Sequence, residues 1–234
     1  MIAGGLQWLK TNASHTLFEV SGRKYANFKP VPVENPVPAP LAFFSLNGLS
    51  DYMEKNPDEQ DKFIIHVESP TAVSIRSTLC EPFCQRWEYA VAEIPFVPFT
   101  FGRFLDLEAF LIGVRSMFVL DTSAPTLLKY AGNITDEDVR TWEDDGITQR
   151  ANARTGVARV SEIALPSIVT LRPFRTFSEV EQPASEFLFR IQSKGGKIEA
   201  ALFEADGGRW KIEAMRNIAK FFSGKNIENA IVLA

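Results

Sequence analysis

Reactive side chains are scarce in this chain. Among 234 residues there are two cysteines, Cys80 and Cys84, and two histidines, His15 and His66. The cysteines flank Pro82 and Phe83 without forming a CxxC, so a disulfide framework is excluded and two thiols do not make a zinc site. Free, reduced thiols are expected. A Ser-His or Cys-His pair needs a base oriented by a third group, and neither histidine sits in such a motif. His66 alternates within an apolar strand and reads as a core or edge residue. No apolar run approaches the ~18 residues that span a bilayer, and no basic-then-apolar leader opens the chain, so a soluble intracellular protein is expected, with no membrane partner. No long basic run occurs, and at net charge −4 with a pI near 5.4 the electrostatic footprint of a duplex-DNA binder is missing. The pairs Gly195-Gly196 and Gly207-Gly208 lack the GxxxxGK-Ser/Thr spacing, Gly224-Lys225 lacks the upstream glycine, and no GxGxxG is present. A P-loop is therefore excluded, and no cofactor is expected.

Phenylalanine is abundant: nineteen Phe against four Tyr in a chain that is 45% apolar. A load of that kind goes to a large packed interior or to protein interfaces. The clearest unit runs from Pro183 to Phe222. Residues Glu186 to Gln192 put Phe187, Phe189 and Ile191 on one face and Leu188, Arg190 and Gln192 on the other. After Ser-Lys-Gly-Gly-Lys (193–197), Ile198, Ala200 and Leu202 share a face, which predicts a β-hairpin. Beyond Asp206-Gly207-Gly208 the period becomes helical, with Ile212, Met215, Ala219 and Phe222 recurring, and this helix is expected to fold over the hairpin's apolar face.

The remaining pattern is consistent with that unit. Thr16–Val20 and Arg23–Asn27 around Ser21-Gly22 read as a hairpin, and Pro30, Pro32, Pro36, Pro38 and Pro40 as an extended linker. Ser45–Lys55 reads as a short helix stopped by Asn56-Pro57, and 63–68 with 72–77 as a hairpin. Strand 86–94 follows, then a helix from Asp106 to about Phe118 with Leu107, Phe110, Leu111, Val114 and Phe118 along its stripe. Pro125–Tyr130 adds a turn or two of helix. From Glu137 onward, short strands between turn signals predict a continuous antiparallel meander. The expected fold is α+β, an antiparallel sheet with a few helices packed on one face. Its expected organisation is an N-terminal hairpin arm (1–29), a Pro-rich linker (30–40), a main domain (41–223) and a C-terminal tail (224–234).

Two constellations invite chemistry. Aromatics interleaved with arginine on a sheet can stack bases and neutralise phosphates, and Arg172, Phe174, Arg175 and Phe177 with Phe187, Phe189 and Arg190 fit that description. Lys194, Lys197, Arg209 and Lys211 would extend the surface. The competing reading turns the phenylalanines inward and pairs the arginines with Glu179, Glu181 and Glu186. The second constellation is acidic: Asp136, Glu137 and Asp138 lie on one side of a strand, Glu143, Asp144 and Asp145 on the other. Such carboxylates can hold Mg²⁺ or act as an acid/base pair, although Asp144-Asp145-Gly146 is also ordinary turn chemistry.

The element order resembles that of the YfdQ-like proteins of tailed phages and prophages, a family of unestablished function. The resemblance is carried by Ser45-Leu46, Phe63-Ile64, Arg86-Trp87, the helix with Phe104, Leu107, Glu108 and Phe110, the Asp-Gly hairpin and the closing aromatic hairpin with its helix. It covers about residues 43–222. Asp206-Gly207-Gly208-Arg209-Trp210 departs from an Arg-Pro-His pattern of many members, which leaves open any role resting on that histidine. What the resemblance implies is a phage or prophage protein acting in the host cytoplasm, not a reaction.

Three functions are expected in order. The first is a non-enzymatic accessory protein acting as a homo-oligomer, one variant of which sequesters a host signalling nucleotide; a host factor is a further partner. The second is a single-stranded nucleic-acid binder in recombination or replication that uses Arg172, Phe174, Arg175, Phe177 and Arg190. The third is a carboxylate-metal hydrolase around 136–145.

Overall fold

The structure is a computed structural model. It describes residues 17–20, 23–26, 39–80, 84–95, 98–121, 123–134, 148–154, 160–225 and 227–234, with the backbone alone at 17–20, 23–26, 148–154 and 160–166. Contacts divide the chain into two units: Met1–Ala39 with Leu79–Arg86, and Pro40–Thr78 with Trp87–Ala234. In the first, β1 (Leu17–Val20) and β2 (Arg23–Ala26) pair antiparallel with Val20 opposite Arg23, the hairpin expected around Ser21-Gly22. Cys80 and Gln85 exchange both backbone hydrogen bonds.

The second unit opens with β3 (Leu41–Phe43) and α1 (Leu46–Lys55). Ser45 starts the helix by accepting the Gly48 N–H at 3.1 Å. Asn56 stops it in the left-handed region at φ 39°, with its side chain bonded to the backbone of Gln60. The strands β4 (Phe63–Ser69), β5 (Ala72–Arg76) and β6 (Glu88–Glu93) follow as an antiparallel run. A two-residue strand β7 (Leu105–Asp106) leads into α2 (Leu107–Met117), capped by the Asp106 carboxylate on the Ala109 N–H at 3.0 Å. After α3 (Ser123–Gly132), β8 (Thr148–Arg154) and β9 (Val160–Pro166) form a hairpin. Then come β10 (Ile168–Leu171), β11 (Ser185–Lys194), β12 (Lys197–Glu204), α4 (Arg209–Gly224) and β13 (Ala230–Leu233).

The fold is α+β. Where one continuous meander was expected, however, the second unit has two large sheets besides the β8–β9 hairpin. One has four antiparallel strands in the order β10-β11-β12-β7; the other has five, in the order β13-β4-β5-β6-β3, with both edge strands parallel to their neighbours. Parallel pairs need long crossovers, so they join segments that no local pattern relates. The expected tail is affected most. Its residues Ala230–Leu233 form an edge strand beside β4, with Leu233 opposite His66.

Each sheet carries two helices. Helices α2 and α3 pack on the four-stranded sheet, burying Phe110, Val114, Leu127 and Tyr130 against Phe187, Phe189 and Leu202. Helices α1 and α4 pack on the five-stranded sheet, where Leu46, Leu49, Ile218 and Phe222 meet Ile65, Val67, Val73 and Ile75. This corrects the expectation for α4. It does not lie on the hairpin that precedes it, because Gly207 and Gly208 (φ 63° and 81°) turn the chain away after β12. Its buried stripe is Ala214, Ile218 and Phe222, and Ile212 is exposed.

The segment 172–184 joins the two layers. Gln182, buried, accepts the backbone N–H groups of Arg175 and Thr176 and donates to the carbonyls of Phe177 and Val180. Thr176 donates its hydroxyl to the Pro70 carbonyl, and Glu179 accepts the Leu46 N–H at 2.9 Å at the start of α1. A stretch without regular structure thus has its buried backbone groups satisfied by one side chain.

Candidate functional site

The residues expected to make a nucleic-acid platform are not brought onto one surface. Phe177 is fully buried among the five-stranded sheet's core residues. Arg175 is buried too, at 2% exposure, and donates to Glu204 Oε1 at 2.6 Å and to the Ser185 hydroxyl, while its guanidinium lies 4.0 Å from the Trp210 ring centroid. Burial pushes its pKa down to about 10 against the opposing charges of Glu204 and Asp206. Those charges keep it a cation at neutral pH. Asp206 resists burial in the same cluster: hydrogen bonds from Ser185 and the Gly208 N–H, with the Arg175 charge, hold its carboxyl below the usual range.

Arg172 is half exposed but engaged, donating to Glu181 at 2.7 Å with Asp121 at 3.8 Å. Phe174 is exposed, held beside the end of α2 by its N–H on the Met117 carbonyl. Arg190 lies on the opposite face of the hairpin from the buried Phe187 and Phe189 and donates to the Phe189 carbonyl. The auxiliary cations are split as well. Lys194 and Lys197 stand at the turn of the hairpin, whereas Arg209 and Lys211 lie beyond the other end of β12, an eight-residue strand and so about 27 Å away. The pairing of these arginines with acids, rather than a stacking platform, accounts for Arg172 and Arg175. The acidic constellation 136–145 and His15 lie outside the described residues.

The outward face of the four-stranded sheet holds what sequence reasoning missed. With Phe187, Phe189 and Ile191 turned to the core, Leu188 and Arg190 face away from it. The pairing puts Ile168 opposite Leu188 and Leu188 opposite Phe203, and Phe104 packs edge-on to Phe203 with ring centroids 6.0 Å apart. Ile168 is 50% exposed and Phe104 36%, while Leu188 and Phe203 are partly exposed. The result is one apolar row crossing the sheet. A local signal for part of it existed: the turn at Gly195-Gly196, with both φ positive, sets Lys194 opposite Lys197 and therefore Leu188 opposite Phe203.

The outward face of the five-stranded sheet is of a different kind. Ser74 donates to Glu68 at 2.6 Å and accepts from Arg76 Nε at 2.9 Å; Arg76 Nη2 also reaches Glu68 at 2.6 Å and Glu88 at 2.9 Å. The Ser74 hydrogen bond outweighs burial and, with the Arg76 and His66 charges, holds the Glu68 carboxyl below its ordinary range. His66 Nδ1 is 3.6 Å from Glu68 Oε1. Serine, histidine and glutamate are together here, but the order is wrong for nucleophile activation, because Ser74 gives its proton's hydrogen bond to Glu68 and not to the imidazole. A shallow apolar groove of about 340 Å³, lined by Phe43, Phe44, Val91 and Ile94, opens beside the edge strand β3. Among the described residues, no three His, Cys, Asp or Glu side chains gather as a metal ion requires, and no helix is long and apolar enough to cross a membrane.

Compared with family models, with curated proteins and with solved structures, the chain gives no match.

Proposed function

We propose that this chain is a non-catalytic accessory protein that works as an assembly of identical copies. The observation that carries the reading is the apolar row Ile168–Leu188–Phe203–Phe104 on an outward sheet face. An apolar row crossing a sheet face is a feature that association covers. The resemblance of the element order to the YfdQ-like proteins supports a phage or prophage setting in the host cytoplasm. No reaction is assigned to the polar clusters: the ion pairs of Arg175 with Glu204 and of Arg76 with Glu68 and Glu88 tie strands together. The test is the mass in solution. Light scattering and sedimentation of the full chain between 1 and about 100 µM, the range in which weak interfaces fill, are expected to give a dimer or larger species. A monomeric mass throughout that range overturns the reading.

A further inference from the structure

We infer that two copies pack with the outward faces of their four-stranded sheets together, across a two-fold axis lying along the Ile168–Leu188–Phe203 row. This rests on the self-assembly reading above and adds the partner, the face and the register.

The argument comes from the two rows that flank the apolar one. Along β11, Glu186 lies two residues before Leu188 and Arg190 two residues after it, so all three point outward. Glu186 is opposite Thr170 in β10, and Arg190 is opposite Ala201 in β12. The face therefore reads acid, apolar, base in three successive rows. Among the described residues neither Glu186 nor Arg190 has an ion-pair partner, and the hydrogen bond of Arg190 goes to the Phe189 carbonyl next to it.

Closed pairs of identical chains join by isologous contacts, in which one patch meets itself. Two face-to-face arrangements keep the apolar row on the apolar row. If the axis runs along the strands, every position on β11 meets its own copy, and Glu186 faces Glu186 while Arg190 faces Arg190. If the axis runs along the row, positions before Leu188 meet positions after it, and Glu186 of each copy faces Arg190 of the other. Only the second arrangement turns the unpaired charges into two ion pairs flanking an apolar strip, and the first is opposed by like charges. A shift of two residues is also disfavoured, because it sets the apolar row against charge.

Size sets the expected strength. Four strands about 4.8 Å apart and ten residues of about 3.4 Å give a face of at most about 650 Å². That is below the roughly 800 Å² per partner of a standard stable complex, so a dimer dissociating in the micromolar range is expected.

The test uses the full chain in a Cys80→Ser/Cys84→Ser background. Leu188→Cys places the new thiols next to the axis on sheets about 10 Å apart, too far for a direct disulfide, so a short bis-maleimide cross-linker is expected to give a covalent dimer in high yield. Phe222→Cys, buried away from this face, is the control expected to give none. Without any new cysteine, Glu186→Arg alone and Arg190→Glu alone are each expected to weaken dimerisation about tenfold, and the double exchange to restore it. Outward positions make misfolding of these variants readily separable by their melting curves. If the native chain is monomeric, the self-assembly reading itself falls. If it is oligomeric but Leu188→Cys fails to cross-link, or the double exchange is no better than the single ones, self-assembly stands and this interface is wrong.

Discussion

The two sheets of the larger unit bury their inner faces by different means. Against the four-stranded sheet the contacts are ring on ring: Phe101 stacks on Phe187 at 5.1 Å, and Phe99 meets Phe118 edge-on at 5.2 Å and Phe110 at 6.0 Å. Helix α2 comes so close to Phe99 that a Cβ on Gly113 would lie 2.7 Å from the ring. Against the five-stranded sheet the contacts are mostly aliphatic, and Ala90 and Ala92 keep the sheet surface low beneath Leu46 and Leu49. The outer faces differ in the complementary sense. Around β5 the aliphatic sheet turns outward a network in which Glu68, Ser74, Arg76 and Glu88 satisfy one another, with exposed Ile231 and Leu233 at its edge strand, whereas the aromatic sheet turns outward apolar groups and unpaired charge at its centre. A face whose polar groups pair internally offers little to a second molecule, while one with unsatisfied apolar and ionic groups does. The contrast gives the aromatic surplus cohesion inside one layer and, on the self-assembly proposed above, adhesion outside it.

The largest expected effect comes from opening the aromatic core. Phe187→Ala removes a fully buried ring that touches Phe101 and Phe118, and a loss of about 3–5 kcal/mol is expected. Ile65→Ala, in the aliphatic core, should cost about 2–5 kcal/mol. If the layers joined by 172–184 unfold as one body, each variant lowers the same single denaturation midpoint. Two separated transitions, with each variant moving only its own, would show that the layers are independent.

Much of this architecture was readable from local chemistry. Ser45 and Asp106 marked helix starts, Asn56 a helix stop, and Gly195-Gly196 a hairpin turn, because each of these signals acts within four residues. What escaped depends on partners far along the chain. Arg172-Pro173-Phe174-Arg175 reads as a basic aromatic patch, yet Arg175 is buried by Glu204, twenty-nine residues on, and by Trp210 beyond it. Of the neighbouring acids, Glu181 takes Arg172, while Glu179 caps α1 from 133 residues away. The docking of α4 on the other sheet and the parallel edge strands were hidden for the same reason: period gives a helix its apolar stripe but not the surface that stripe will cover.

The junction supplies the next two effects. Arg175 is 2% exposed and Glu204 42%, so their removal should be unequal. Arg175→Met leaves Glu204, which water can reach, but also strips the counter-charge from Asp206, whose Oδ2 is buried, at about 1–3 kcal/mol. Glu204→Ala leaves a buried guanidinium with less compensation; Asp206 still faces it, so about 2–3 kcal/mol is expected instead of the 3–5 of a fully buried broken pair. The reverse order in urea denaturation would mean that Asp206 and Trp210 depend on Arg175 more than Arg175 depends on Glu204. Gln182→Ala strips partners from buried backbone groups at 175–180 and should cost about 1–3 kcal/mol, lowering the cooperativity between the layers as well as the midpoint.

The smallest effect tests the paired outer face. Glu68→Gln removes one charge from a network about one-third exposed, so no more than about 1 kcal/mol is expected at neutral pH. Its signature lies in acid. The Glu68 pKa is lower in the folded chain than in the unfolded one, since the Ser74 hydrogen bond and the Arg76 and His66 charges favour the carboxylate. Its ionised form therefore stabilises the fold fully above the unfolded-chain value, and that contribution is lost as the pH falls through the folded-state value. Protection factors at β4 and β5 amides, which divide out the intrinsic pH dependence of exchange, should fall on acidification below the ordinary carboxylate range in the native chain, and do so less in Glu68→Gln. The β11 and β12 amides, whose outward Glu186 has no ion-pair partner among the described residues, should show no difference between the two proteins. An equal change in both sheets would mean that exchange in both runs through unfolding of the two layers together.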